Sequence, residues 1–265
     1  MMSLEEYRSH HPEVAIATTA GSWKLRRSGA DGPALVMLPG CHGTADVYYK
    51  VAAALGRHVD VVTLTPPKHD DLQQLVSDLA VILDILKLRE VALYGSSLGG
   101  YLAQLFAIRY KGRVRRLFLG NTFRDPSPLQ ERWPKPSEFK KLPAADLMAG
   151  VVAKARALPV QTPAEADLKR TLLALLGTDQ TPDALKSRFL AGILAKLLPR
   201  VPLPENSVAI VDSDDDGIIP ANPRIDLRTT YRSSPRLSVP GGGHFPFLLK
   251  GEQVAAFINR TAFAN

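Results

Sequence analysis

A serine flanked by glycines is the strongest indication of chemistry in this chain. Residues 94–100 read YGSSLGG, so that Gly95, Ser97 and Gly99 form the pattern G-x-S-x-G. A strand-like apolar run precedes the pattern and a helical pattern follows it, which is the context that presents a nucleophilic serine on a sharp turn. We predict a Ser97 hydroxyl above a sheet, beside helix N–H groups that could stabilise an oxyanion. The alternative is a glycine-rich turn with an incidental serine.

A cluster of aspartates follows a later strand pattern. Residues 212–217 read DSDDDG, and a carboxylate at the end of a strand could orient a catalytic histidine. Asp216 is the preferred candidate, because it lies four residues before Pro220, where a short loop turns back toward the sheet. Asp214 is the second candidate, and a solvated acidic turn is the structural alternative.

His244 stands in a glycine-rich loop near the end of the chain. Residues 241–246 read GGGHFP and follow the last strand pattern. A single histidine is usually structural, but this one comes third in the order Ser97, Asp216, His244, with each residue at the carboxyl end of a predicted strand. Open α/β sheets bind their ligands at that edge. The order predicts a triad in which His244 is the general base and Asp216 orients it.

The loop after the first parallel strand, residues 38–43 with the letters LPGCHG, should supply a second oxyanion donor. The best candidate is the backbone N–H of Cys41, paired with the N–H of Leu98. The Cys41 thiol lacks a glycine-flanked turn, so we expect a buried thiol and not a nucleophile. His42 follows the same strand and is a candidate for the border of the substrate pocket.

These residues need a scaffold, and short apolar runs alternate with helical patterns along most of the chain. Such alternation predicts parallel strands joined by right-handed crossovers with helices on both faces, which is a doubly wound, mostly parallel α/β sheet. An antiparallel hairpin is expected over residues 14–26. The predicted strands are 34–38, 59–64, 91–94, 114–119, 207–211 and 236–239, and the predicted helices are 47–55, 72–88, 99–110 and 253–263.

The sheet pattern is interrupted over residues 121–204, where prolines recur and no β-branched run occurs. Helical stretches fill residues 144–157, 163–176 and 182–197, and Thr162 is a candidate N-cap for the second. We expect a core formed by residues 1–120 and 205–265, with residues 121–204 as a helical cap insertion. The candidates for lining a substrate pocket under this cap are Phe123, Trp133 and Phe139, with core packing as the alternative for each.

Composition narrows the classes of function. The 265-residue chain carries a net charge of +7, but its basic residues are dispersed, which argues against a dedicated nucleic-acid surface. One cysteine excludes an internal disulfide, and no apolar run resembles a membrane span or a secretory signal, so we expect a soluble cytoplasmic protein. No metal or organic cofactor is expected, because neither paired Cys/His ligands nor a phosphate-binding motif occurs. The oligomeric state stays open, a homodimer included.

On these residues the chain resembles the α/β-hydrolase superfamily over essentially its whole length. Within that superfamily, the stretches LPGCHGTADVYYK, GSSLGG and GGGHFPFL look like those of maspardin-like proteins. The letters TPPKHD at residues 65–70 stand where hydrolases usually carry Asp-x-Arg-Gly-x-Gly, and maspardin-like chains also depart from that signature. The resemblance implies an α/β-hydrolase core with Ser97 as nucleophile, His244 as base, Asp216 as acid, and the amides of Cys41 and Leu98 as oxyanion donors.

We expect a serine hydrolase of the esterase or acyl-hydrolase type, acting through an acyl-enzyme on a small ester or related carbonyl substrate. The resemblance to maspardin-like proteins implies the alternative, a non-catalytic binding or adaptor protein on the same fold. A third hypothesis is another reaction on the same triad, such as hydrolysis of a carbon–carbon bond. His244 favours catalysis, since a proton acceptor is what a serine nucleophile requires.

Overall fold

Eight strands form one sheet in the order β1-β2-β4-β3-β5-β6-β7-β8. The computed structural model describes residues 2–263, apart from the side chains of residues 177 and 178. The strands are β1 Val14–Thr18, β2 Gly21–Arg27, β3 Ala34–Leu38, β4 Asp60–Thr65, β5 Val91–Ser96, β6 Val114–Gly120, β7 Val208–Asp212 and β8 Arg236–Ser238. The helices are α1 Leu4–His10, α2 Tyr49–Leu55, α3 Leu72–Ile85, α4 Leu98–Arg109, α5 Ser127–Gln130, α6 Pro136–Lys141, α7 Ala144–Arg156, α8 Pro163–Ala174, α9 Pro182–Leu194, α10 Ala221–Thr230, α11 Pro246–Leu249 and α12 Gly251–Ala262.

The pairing of the strands confirms the predicted sheet. Strands β3 to β8 are parallel to one another wherever they pair. The hairpin of β1 and β2 is antiparallel and joins the sheet through an antiparallel pairing of β2 with β4. Because parallel strands end at the same edge, the loops that follow β3, β5, β6, β7 and β8 meet on one side of the molecule.

Helices cover both faces of the sheet, and the alternation of side chains along each strand explains how. In β3, Val36 and Leu38 pack into a cluster with apolar residues of α3 and α4. Their neighbours Leu35 and Met37 pack on the opposite face with residues of α2 and α12. Each of these fully buried side chains contributes about 1.5–3 kcal/mol of hydrophobic free energy, so both faces need a helical layer. The doubly wound architecture is therefore confirmed.

Helices α5 to α9 lie in the chain between β6 and β7. The helix predicted from Pro163 has its expected N-cap. The Thr162 hydroxyl accepts a hydrogen bond from the Glu165 N–H, and the Glu165 carboxylate accepts one from the Thr162 N–H. This helix ends at Ala174 and passes into a π-helical turn. The last predicted helix of the segment stops at Leu194, three residues before the expected end at residue 197. Helix α8 contacts α11, and α7 contacts both α8 and α9.

Five helices were not predicted from the sequence patterns, namely α1, α5, α6, α10 and α11. No helix was predicted before residue 47, but α1 carries a capping box of Ser3 and Glu6 and buries Tyr7 against the core. Arg8 in its last turn forms ion pairs with Asp46 and with Asp179. Helix α10 was missed because Pro223 stands inside it and its apolar residues are few. Between residues 2 and 263, no helix is long and apolar enough to span a membrane.

Candidate active site

Ser97 stands on the sharp turn between β5 and α4, with a φ of +52° that is rare for a residue with a Cβ atom. The motif glycines explain how the turn closes. A Cβ atom on Gly95 would lie 2.2 Å from the backbone oxygen of Gly99, so no other residue fits there. The turn is fixed by a hydrogen bond from the Ser97 N–H to the Gly120 carbonyl oxygen at 3.0 Å. The sequence predicted this turn from the glycine spacing together with the strand pattern before it and the helical pattern after it.

Asp216 and His244 form a buried pair at the same edge of the sheet. The His244 Nδ1 atom lies 3.1 Å from Asp216 Oδ1 and 3.0 Å from Oδ2. The carboxylate is itself held in place, since Oδ1 accepts from the N–H groups of Ile218 at 2.8 Å and Ile219 at 3.0 Å. The Asp216 side chain is 0% exposed, so water does not weaken its contact with the imidazole. The Phe245 ring packs edge-on against the imidazole, 5.0 Å between centroids.

The other aspartates of the acidic segment have different partners. Asp214, the second candidate, has a side chain that is 72% exposed and pairs with Arg228 at 2.7 Å. That arginine holds the pKa of Asp214 below its usual range, first by hydrogen bonding and then by its charge. Asp215 accepts a hydrogen bond from the Gly243 N–H at 3.1 Å. Within the described residues, no group of three His, Cys, Asp or Glu side chains could hold a metal ion.

The backbone N–H groups of Cys41 and Leu98 form no backbone hydrogen bond with another of the described residues. The loop that carries Cys41 lies directly against the serine, because a Cβ atom on Gly40 would approach Ser97 Cβ to 2.8 Å and its Oγ to 3.3 Å. Free N–H groups in such a place can stabilise a negative oxygen. The oxyanion role of the Cys41 and Leu98 amides stays a prediction.

The Cys41 side chain itself is buried. Burial raises the pKa of its thiol to about 12, an effect that the nearby Arg188 guanidinium only partly offsets. Residues of the inserted segment hold the Cys41 loop from outside. The Gln180 amide donates to the Cys41 carbonyl oxygen at 2.7 Å, and Arg188 donates to the carbonyl oxygens of Gly43 and Pro66. Neither Gln180 nor Arg188 was singled out in the sequence.

The Ser97 hydroxyl forms no hydrogen bond with another of the described residues. Of the three expected triad members, therefore, the structure joins Asp216 to His244 and leaves Ser97 Oγ unbonded. Catalytic hydrogen bonds are often long in the absence of substrate and tighten when substrate binds, so an unbonded serine hydroxyl does not exclude a competent site.

The candidates for substrate contact separate into two groups. His42, Trp133 and Phe139 all contact Phe189 of α9, with ring centroids 5.3, 5.7 and 6.4 Å from that ring. Phe123 lies apart from them and packs against Tyr101 at 5.6 Å, within the core on the α3 and α4 face of the sheet. Phe189 was missed by sequence reasoning, because the helical pattern of α9 does not reveal which of its apolar residues faces the site.

A cavity of about 100 Å³ lies beside this site. Its walls are mostly apolar and come from the inserted helices and from residues next to the acid–base pair. The burial of His42 lowers the pKa of its imidazole to about 3, with the charges of His244 and Lys154 acting in the same direction, so His42 is neutral at physiological pH. The residues that line the cavity are His42, Val151, Lys154, Ala155, Leu158, Leu172, Leu176, Ile218 and Phe245.

Comparison with known proteins agrees with this fold. The chain matches the alpha/beta hydrolase family over residues 35–257. Maspardin of Danio rerio is 30% identical over 227 residues, which are 84% of this chain and 72% of that protein. A hydrolase from Pseudomonas aeruginosa has a TM-score of 0.77 at 20% identity, covering 96% of this chain and 99% of its own. The enol-lactonase of Burkholderia xenovorans has a TM-score of 0.76 at 16% identity, covering 95% and 100% respectively.

Proposed function

The chain belongs to the alpha/beta hydrolase family and is a relative of maspardin, and from this premise we propose that it is a serine hydrolase of the esterase type. Its substrate in this proposal is a small ester or related carbonyl compound. Ser97 is the nucleophile, His244 the general base and Asp216 the residue that orients the base. No cofactor takes part in the proposed reaction.

One observation carries this proposal, which is the buried contact of Asp216 with His244 Nδ1 next to the turn that presents Ser97. A carboxylate on Nδ1 keeps the proton on that nitrogen and leaves Nε2 free to accept a proton from a hydroxyl. The carboxylate that orients the imidazole is itself fixed by the N–H groups of Ile218 and Ile219.

The first half of the reaction forms an acyl-enzyme. As Ser97 Oγ attacks the carbonyl carbon, its proton passes to His244 Nε2 and the carbonyl π electrons move onto oxygen. The resulting oxyanion receives hydrogen bonds from the N–H groups of Cys41 and Leu98. When the carbonyl re-forms, the bond to the alkoxy group breaks and the imidazolium gives its proton to that leaving oxygen.

The second half repeats these steps with water. His244 takes a proton from a water molecule as the water oxygen attacks the acyl carbon. The tetrahedral intermediate collapses, the bond to Ser97 Oγ breaks, and the serine regains its proton from the imidazolium. The carboxylate of Asp216 stays ionised throughout and stabilises the positive imidazolium in both halves.

The inserted segment supports a preference for an apolar acyl group. In this proposal residues 121–204 form a cap, and its helices α7 and α8 close the 100 Å³ cavity beside His244. The walls of that cavity are largely aliphatic, which favours a hydrocarbon chain over a polar or charged acyl group. His42, Trp133 and Phe139 are proposed to contact the substrate with Phe189, whereas the core position of Phe123 gives it a packing role.

A second candidate function is a maspardin-like binding or adaptor protein that keeps the fold without turnover. The unbonded Ser97 hydroxyl favours it, since a site that only binds needs no contact between serine and histidine. The two functions share the cavity and the cap, so only a measurement of turnover separates them.

A screen of p-nitrophenyl esters and acyl-CoA thioesters of increasing chain length tests the proposal. We expect turnover of at least one ester, and Ser97→Ala should lower its rate about 10⁴–10⁶-fold. Ser96→Ala is the matched control, because the Ser96 hydroxyl is bonded to Tyr48 at 2.7 Å and takes no part in the reaction. An unchanged rate in Ser97→Ala would eliminate Ser97 as the nucleophile. No turnover of any ester would favour the binding protein.

A further inference from the structure

Asn121 lies where three loops of the proposed site meet. It directly follows Gly120, the last residue of β6, and is 1% exposed. Its φ of +36° falls in the left-handed region, which Asn tolerates better than most residues with a Cβ atom. Asn121 is thus a buried polar residue in an uncommon backbone conformation at the edge of the sheet that carries the site. Such a combination is often found where a residue has a functional role.

The side-chain amide of Asn121 bridges the acid loop and the histidine loop. Its Oδ1 accepts from the Ser213 N–H at 2.9 Å, and its Nδ2 donates to the Gly243 carbonyl oxygen at 2.7 Å. Only this orientation of the amide satisfies both partners, since the first is a donor and the second an acceptor. Ser213 precedes Asp216 by three residues and Gly243 directly precedes His244, so one planar group links the loops that hold the acid–base pair.

The backbone of Asn121 makes the link to the nucleophile. Its carbonyl oxygen accepts from the Ser97 N–H at 3.2 Å, and its own N–H donates to the Val211 carbonyl oxygen at 2.9 Å. This residue therefore contacts the serine turn, the end of β7 and the histidine loop at once. Removal of its side chain would leave the serine turn in place and remove one of the links that join the two other loops.

The histidine loop follows a short strand. This strand, β8, has three residues at the edge of the sheet and pairs with β7, and the Val239 N–H just beyond it donates to the Asp212 carbonyl oxygen at 2.8 Å. A second link between the loops, from the Gly243 N–H to Asp215, is exposed to solvent and therefore weaker than a buried bond. Besides the Asp216–His244 contact itself, the amide of Asn121 provides a buried link between them.

We propose that Asn121 is a positioning residue that holds the Asp216–His244 pair in register with Ser97. This inference rests on the proposed serine-hydrolase function and adds a residue to it. Asn121 touches neither the reacting atoms nor the imidazole, and it acts through the loops that carry Asp216 and His244. Its removal should therefore affect the chemical step and leave substrate binding largely intact.

The decisive variant is Asn121→Gly, because glycine accepts the left-handed conformation and loses only the two side-chain bonds. We expect kcat to fall about 100-fold, as a misplacement of catalytic groups by an ångström does, while KM changes little. We then compare the Asp216→Asn protein with the double variant that also carries Asn121→Gly. Their rates of fluorophosphonate labelling should differ by less than about threefold, because the effects of residues that act as a unit are not additive. Equal losses in both backgrounds would overturn the inference.

Gln104→Met is the matched control for stability. Gln104 is also fully buried and donates to two backbone carbonyl oxygens, those of Gly100 and Phe123, but it contacts neither the acid loop nor the histidine loop. It should lower Tm as Asn121→Gly does and leave kcat unchanged within about threefold. A loss of kcat in both variants, in proportion to Tm, would show that Asn121 is only structural.

A second variant and an NMR measurement test the inference if Asn121→Gly does not fold or if activity is not detected. If Asn121→Gly does not fold, Asn121→Asp keeps the left-handed turn and the acceptor for the Ser213 N–H but cannot donate to Gly243, and it should show the same non-additivity. The proton NMR signal of His244 Nδ1–H can be measured without any turnover. We expect to see this signal in the wild type and in Gln104→Met, and we expect exchange with solvent to remove it in Asn121→Gly. Its persistence there would refute the inference, whereas failure of the proposed function would appear as a wild type without turnover or labelling.

Discussion

Replacement of Asp216 by asparagine changes the proton on the imidazole without changing the shape of the site. Asp216 Oδ1 accepts two backbone N–H groups, from Ile218 and Ile219, so the asparagine oxygen must occupy that position. The asparagine NH₂ group then takes the place of Oδ2 and points a donor at His244 Nδ1. The oxygen stays 3.1 Å from Nδ1, but the NH₂ donor at 3.0 Å disfavours a proton on Nδ1. The tautomer with the proton on Nε2 is therefore favoured, and this proton blocks transfer from Ser97.

The expected loss is large. A histidine held in the wrong tautomer costs about 10⁴-fold in kcat in a serine triad, which corresponds to about 5 kcal/mol of transition-state stabilisation. Folding should be little affected, because the side chain is isosteric and its bonds to the loop remain. We therefore expect an Asp216→Asn protein with a near wild-type Tm and a nearly abolished kcat.

The assay is steady-state hydrolysis of the best p-nitrophenyl ester, with Asp214→Asn as the matched control. Asp214 is two residues away and is exposed to solvent, where it pairs with Arg228. Its replacement should change kcat by less than about threefold, since exposed ion pairs contribute little. The reasoning is refuted if Asp216→Asn keeps a tenth of the activity, or if Asp214→Asn loses as much as Asp216→Asn does.

Three other changes have definite expectations. Gly95→Ala should abolish soluble expression, because its Cβ would lie 2.2 Å from the Gly99 backbone oxygen, whereas Gly112→Ala, with nothing within 4 Å, should express normally. Burial raises the pKa of the Cys41 thiol to about 12, so its thiolate fraction at pH 7 is on the order of 10⁻⁵. The thiol should therefore resist iodoacetamide in the folded protein and react once guanidinium unfolds the chain. Ala155→Leu should fill the 100 Å³ cavity and shift the preferred ester to a shorter acyl chain at unchanged Tm, and an unaltered chain-length profile would argue that the acyl group binds elsewhere.

Local patterns were sufficient for most of the fold. The strand predicted at residues 34–38 matches β3 to the residue, because five apolar residues between turn formers leave no other choice. The glycines around Ser97 could be interpreted from sequence for a similar reason, since the steric demand of the turn is local. Helix α10 escaped detection because Pro223 breaks the pattern, although its ring needs no N–H near the start of a helix.

The site was only partly accessible from the sequence. Asp216 could be preferred over Asp214 because it lies four residues before Pro220 in the sequence. The arginine that pairs with Asp214 comes from α10, a helix that was not predicted. Asn121 had no local signal, because its partners lie 92 and 122 residues away and only the sheet order brings them together. The orientation of Phe189 toward His42 depends on how α9 packs, which one helical pattern does not determine.

Covalent labelling by a fluorophosphonate, measured by intact mass and peptide mapping, tests the catalytic role of Ser97 most directly. We predict one adduct in the wild type, located on Ser97 and absent from Ser97→Ala, with labelling of His244→Ala slowed by orders of magnitude because the serine loses its proton acceptor. A wild type that gains no adduct, or one that labels equally fast without the imidazole of His244, would contradict the proposed serine hydrolase.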